Sequence, residues 1–150
     1  MVISTATHAD IPALCDLLTE LFSQEAEFTP DPDTQRRGLS LILSSPEIGT
    51  ILIARPEQHA RALGMVSLLY TVSTALGERV ALLEDMVVAG SARDAGIGSM
   101  LLKEAIATAR AAGCARLTLL TDATNEPARR FYLRHGFQPS PMIPLRLHPL

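Results

Sequence analysis

Between Leu82 and Gly98 the chain reads Leu-Leu-Glu-Asp-Met-Val-Val, then Ala-Gly-Ser-Ala, then Arg-Asp-Ala-Gly-Ile-Gly. No other stretch restricts the possible folds as much. Its first seven residues have the composition of a strand. From Gly96 to Ala112 the apolar residues Ile97, Leu101, Ala105 and Ala109 recur every four positions, which predicts a helix, and Gly113 is a natural stop. A strand that enters a glycine-bearing loop opening a helix is suited to hold phosphate. The first N–H groups of the helix lack internal partners, and the helix dipole places partial positive charge there. Gly96 and Gly98 carry no side chain, so an anion can come close to that backbone.

Two well-known phosphate loops are excluded by single residues. A P-loop needs Lys followed by Ser or Thr after its last glycine, and here Gly98 precedes Ser99-Met100. A dinucleotide fingerprint needs a third glycine three residues after the second, where this chain has Leu101. The pattern that remains is Arg93-x-x-Gly96-x-Gly98.

The rest of the chain supplies a consistent frame. Residues 2–5 read as an opening strand. Asp10 is a candidate N-cap and Pro12 sits in the first turn of a helix whose stripe is Leu14, Leu17, Leu18, Leu21 and Phe22. The prolines in 29–33 break that helix, and Leu39, Ile42 and Leu43 suggest a second one closed by Ser44-Ser45-Pro46. Runs at 50–55, 62–74 and 79–88, separated by short turns, predict an antiparallel meander. Another strand is expected over 117–121 and a last helix from Asn125 to His135. The tail from Phe137 is expected to add one or two edge strands. The predicted order is β-α-α-β-β-β-α-β-α-β. There is no internal repeat or low-complexity linker, so a single mixed α/β domain spanning 1–150 is expected.

Composition narrows the function classes. With 47% hydrophobic and 19% charged residues in 150, the chain can bury a real core. A net charge of −3 without a basic run disfavours nucleic acid as a partner. No stretch approaches the roughly 18–20 apolar residues of a membrane helix. The N-terminus lacks the features of a signal peptide, so no membrane association and a cytoplasmic location are expected. Cys15 and Cys114 suit reduced thiols, and the four histidines (His8, His59, His135, His148) match no zinc spacing, so no metal is expected.

A second motif gives the loop its meaning. Asn125 to Phe137 reads Asn-Glu-Pro-Ala-Arg-Arg-Phe-Tyr-Leu-Arg-His-Gly-Phe, a helix with an Asn cap and a tyrosine, ended by Gly-Phe. Together with Arg93-x-x-Gly96-x-Gly98 after a strand, and in the same element order, it resembles the GNAT superfamily of N-acetyltransferases. The resemblance covers most of the chain and is strongest from Leu82 to Phe137. It implies a central, largely antiparallel sheet splayed between its fourth and fifth strands, with acetyl-coenzyme A as acetyl donor. Met86, Val87 and Val88 would pair with the donor's pantetheine arm. Arg93, Asp94, Ala95, Gly96, Ile97, Gly98 and Ser99 would wrap the pyrophosphate, with the Arg93 charge on a phosphate oxygen, and Asn125 would hydrogen-bond the arm. Asp94 departs from the family, which often has glycine there, and its carboxylate is expected to turn to solvent.

The implied chemistry is direct aminolysis of a thioester. An alkyl ammonium has a pKa of about 10.4 and must lose a proton before it attacks. The departing thiolate benefits from a proton, which the resemblance assigns to Tyr132. Glu84 and Asp85 are consecutive on a strand, so their side chains are expected on opposite faces, one of them in the cleft as base. The resemblance favours Glu84. A carbonyl of Met86 or Val87 would orient the amine. The acceptor is expected to be a small-molecule amine, a polyamine or amino acid; the Leu-Glu-Asp and Asn-Glu-Pro triplets resemble those of diamine acetyltransferases, which favours a polyamine. Acceptor choice is expected from 22–38, where acidic residues cluster, and from the 70–79 turn. Two alternatives stand beside this reading: a non-catalytic acyl-coenzyme A sensor, and a protein N-acetyltransferase. Pairing through the apolar C-terminal tail would make a homodimer.

Overall fold

The computed structural model describes residues 1–25 and 27–150. Ala26, inside the 22–38 segment expected to select the acceptor, lies outside the described residues. The chain divides into two compact units, Met1–Leu119 and Leu120–Leu150.

The first unit is built on a five-stranded sheet in sequential order: β1 (Val2–Thr5), β2 (Gly49–Arg55), β3 (Gly64–Ser73), β4 (Glu78–Val88) and β5 (Leu117–Leu119). Neighbours are antiparallel except β4 and β5, which are parallel and paired only from Ala81↔Leu117 to Leu83↔Leu119. A parallel pair needs a long crossover, and α3 (Ile97–Ala111) supplies it. Beyond Leu83, β4 runs on for five residues that β5 does not reach. This is the separation expected between the fourth and fifth strands.

On one side of the sheet lie α1 (Ile11–Phe22) and α2 (Pro32–Leu43). Their residues Leu14, Cys15, Leu17, Leu18 and Leu39 pack with Ile51, Ile53, Met65 and Val87 into one buried cluster. The α3 helix lies across β2, β3 and β4, with Leu101, Leu102, Ala105 and Ala109 buried as the period-four stripe requires.

The 29–33 segment separates the first two helices as expected, and Pro32 is the first residue of α2, which Asp31 caps by accepting the Thr34 N–H at 3.3 Å. Proline lacks only an N–H that the first turn leaves unused. Asp10 directly precedes α1, but its carboxylate does not cap it. The carboxylate turns back to accept the Thr7 N–H at 2.8 Å and pairs with Arg55 of β2.

Gln35 ties α2 to α1 inside the apolar layer. Its amide donates to the Cys15 carbonyl at 3.1 Å and the Thr19 hydroxyl at 3.0 Å, and its oxygen accepts the Asp31 N–H at 2.9 Å. At 6% exposure these partners have little recourse to water. Gln35→Leu is expected to cost about 1–3 kcal/mol, read as a lower urea midpoint at unchanged slope. An unchanged midpoint would show that the amide clasp is idle.

The second unit centres on α4 (Glu126–Arg134). Asn125 caps this helix by accepting the Ala128 N–H at 3.2 Å. Phe131, Tyr132, His135 and Phe137 form a chain of aromatic contacts, with centroids 4.7–5.7 Å apart. The edge strand expected after Phe137 is not formed, and residues 137–150 contain no helix or strand. Pro139, Pro141, Pro144 and Pro149 remove ladder donors and restrict the residues before them. Met142, Ile143, Leu145, Leu147 and Leu150 are consequently exposed.

Candidate active site

The strand and loop singled out from the sequence occupy one continuous corner of the first unit. At the head of α3 the first helical hydrogen bond runs from the Met100 N–H to the Gly96 carbonyl at 3.2 Å. The N–H groups of Ile97, Gly98 and Ser99 lie ahead of it, in the orphan positions of a helix start. Gly96 precedes the helix at φ 78°, a left-handed geometry that glycine adopts without a steric penalty. Asp94 is also left-handed at φ 65°, where the short acidic side chain is tolerated, and it is exposed. The loop thus keeps its carboxylate in solvent and gathers backbone donors at one point.

Arg93 behaves differently from the expectation of a phosphate contact. Its Nε donates to the Val88 carbonyl at 3.4 Å and its guanidinium lies 3.7 Å from Glu20 of α1. The side chain is folded back along the end of β4.

Immediately upstream, β4 is not a regular strand. Met65 pairs with Val87 and Ser67 with Glu84, so Asp85 and Met86 together oppose the single residue Val66. This is a β-bulge, and Asp85 sits in it at φ 53°. The bulge interrupts regular pleating just after Glu84. Glu84 is exposed, whereas Asp85 and Met86 are half-buried and Val87 is buried. Burial pushes the Asp85 carboxyl up to about 6, with the like charges of Glu84 and Glu25 adding to the effect. Opposite Glu84, the Ser67 hydroxyl is buried without a hydrogen-bond partner among the described residues. An orphaned hydroxyl and a strained carboxylate in one short span are costly, and such costs gather at functional sites. Nothing in the local sequence singled out Ser67, because its position depends on strand register.

Tyr132 and Asn125, also singled out from the sequence, belong to the second unit. Tyr132 is half-buried between Phe131 and Phe137, and burial pushes its hydroxyl up to about 12. It therefore keeps its proton at any neutral pH. Asn125 is exposed and spends its side-chain oxygen on the α4 cap, which leaves its amide donors available.

The first unit thus carries a half-buried carboxylate beside a loop that gathers backbone donors, and the second unit carries a protonated tyrosine. Comparison with known proteins identifies the family. Residues 11–137 match the Acetyltransferase (GNAT) family, a span that includes parts of both units. The chain is 30% identical over 135 residues to an aminoalkylphosphonate N-acetyltransferase of Salmonella typhimurium (strain LT2), covering 90% of this chain and 83% of that one. Among solved structures, a probable acetyltransferase superposes with a TM-score of 0.86 at 27% identity, covering 100% of this chain and 98% of the other. A putative acetyltransferase from Agrobacterium tumefaciens gives 0.80 at 25% identity, with 98% and 100% covered. The chain belongs to the GNAT family and is an acetyltransferase.

Proposed function

We propose that this enzyme transfers the acetyl group of acetyl-coenzyme A to the primary amine of a small cationic molecule, with both substrates bound together on one domain spanning 1–150. The observation that carries the reading is Asp85, held half-buried in the bulge beside Glu84 on the strand that feeds the glycine loop. The donor substrate supplies an activated thioester carbonyl. The N–H groups of Ile97, Gly98 and Ser99 hold its pyrophosphate, and Arg93, Asp94, Ala95 and Gly96 shape the approach to them. The edge of Met86-Val87-Val88 that β5 leaves uncovered receives the pantetheine arm, to which Asn125 donates a hydrogen bond.

Asp85 takes the role of base. Its proton affinity is close enough to neutrality to accept the ammonium proton, and burial brings it out of bulk solvent. Glu84, favoured by resemblance, becomes the group that tunes Asp85 and attracts the cation. Tyr132 shares its proton with the leaving sulfur. The carboxylates of Glu25, Glu84 and Asp85 favour a polyamine over an acceptor that bears its own anion, such as the aminoalkylphosphonate named for the Salmonella relative.

The test is free-thiol release from acetyl-coenzyme A against polyamines, amino acids, aminoalkylphosphonates and basic peptides. Release that is fastest with polyamines supports the reading. Preference for an aminoalkylphosphonate would overturn the acceptor assignment while leaving the acetyltransferase in place.

A further inference from the structure

Glu20 lies near the C-terminal end of α1, seventy residues before the loop in sequence, yet its carboxylate sits at the corner from which the loop springs. Oε1 accepts the Gly90 N–H at 2.6 Å and lies 3.7 Å from the Arg93 guanidinium. Arg93 in turn donates to the Val88 carbonyl. These contacts close a ring from Val88 through Arg93 and Glu20 to Gly90. The ring encloses the point where β4 ends and the short turn Gly90–Ala92 begins. A Cβ at position 90 would lie 2.8 Å from Glu20 Oε1, so a larger residue there would push the carboxylate aside.

We propose that Glu20 is a positioning residue for the donor substrate. It holds the corner between β4 and the loop in the geometry that presents the helix-start N–H groups, and it binds no part of the donor itself. The inference rests on the reading of Arg93–Ser99 as the pyrophosphate loop. The physical case has three parts. A short hydrogen bond from a backbone N–H to a carboxylate is about twice as strong as a neutral one. It joins elements distant in sequence, so it fixes the corner against α1 rather than within the loop. Arg93 is occupied by this ring and serves the loop from behind. Exposed as the Arg93 pair is, the ion pair alone contributes little, and the bond to Gly90 carries most of the effect.

The experiment is calorimetric binding of coenzyme A to the full chain, with steady-state kinetics and melting temperatures alongside. Glu20→Ala is expected to weaken coenzyme A binding about 3- to 10-fold, with the KM for the amine and kcat at saturating donor within about twofold. Glu20→Gln retains an acceptor for Gly90 and is expected to lose less. Gly90→Ala is expected to weaken binding similarly, and to add nothing in the Glu20→Ala background. Additive effects, unchanged affinity or tighter binding in Glu20→Ala would each overturn the proposal. Tighter binding would make Glu20 a competitor of the phosphates instead.

Gly98→Asp separates this outcome from failure of the loop reading. A carboxylate in the first turn of α3 suits the helix dipole, so folding is retained, but it opposes a pyrophosphate. Binding abolished in Gly98→Asp but unchanged in Glu20→Ala sinks the positioning role alone. Binding unchanged in Gly98→Asp sinks the loop reading with it.

Discussion

Tyr132→Phe is expected to lower kcat about 100-fold, equivalent to about 2.7 kcal/mol of barrier, while the KM for acetyl-coenzyme A changes by less than about threefold. The substitution removes one oxygen and keeps the ring that packs on Phe131 and Phe137, so the second unit keeps its aromatic chain. What is lost is a proton held at the hydroxyl. Burial pushes that group up to about 12, so in the wild type the proton stays in place through the physiological range and is released only to a strongly basic partner. A thiolate, whose acid has a pKa of about 8.5, is a weaker base than the tyrosinate, so the hydroxyl acts as a hydrogen-bond donor that shares its proton with the departing sulfur. Thiol release at saturating substrates, with the melting temperature as a check on folding, measures the effect. A kcat that stays within a few-fold of wild type would remove Tyr132 as the acid and leave it a packing residue.

The second large effect is expected at Asp85. The wild-type kcat/KM for the amine should rise with pH through about 6, as the carboxyl loses its proton and becomes competent as a base. Asp85→Asn should lower the plateau about 100-fold and abolish this rise. Glu84→Gln should leave most of the plateau and move the rise to lower pH, because it removes a like charge that holds the Asp85 proton on. The opposite pattern, with Glu84→Gln inactive and Asp85→Asn active, would return the role of base to Glu84.

Stability supplies an independent sign. A carboxyl raised from 3.8 to about 6 in the folded chain binds its proton more tightly than the unfolded chain does. The folded state is therefore penalised once pH rises above the unfolded value, by up to about 3 kcal/mol at neutral pH before solvent screening reduces it. Asp85→Asn should accordingly raise the melting temperature at pH 7.5 and have little effect at pH 4. Destabilisation of this kind is a cost that function commonly imposes on a fold. A variant that melts lower at neutral pH would show that Asp85 stabilises the strand and is not held there against strain.

Much of this was legible in the residues. The apolar stripe of α1, the period-four stripe of α3 and the three strands of the meander follow from local periodicity, which one element can express alone. The glycine loop was legible because a helix start has the same orphan donors in any protein, and Gly96 does adopt the left-handed turn that such a loop needs. The Asn-capped helix with its tyrosine was legible for the same reason. The first residue of α2 was not legible, because Pro32 reads as a breaker until Asp31 is seen to cap it. The tail, read as an edge strand from its apolar residues, is kept out of the sheet by its own prolines.

What the sequence by itself determined is the order of the main elements from β1 to α4, the glycine loop between β4 and α3, and the family. What only the tertiary structure decided is how neighbouring charges are used. Glu84 and Asp85 were expected on opposite faces, but which of them is buried was not legible; Glu84 is exposed, and Asp85 is half-buried in a bulge opposite Met65–Ser67. Arg93 looks like a phosphate ligand, and a carboxylate from α1 turns it back towards β4. Periodicity and capping act over a few residues and are written in the local sequence. Strand register and long-range ion pairs depend on which distant segments the packed core brings together, and no local pattern records that.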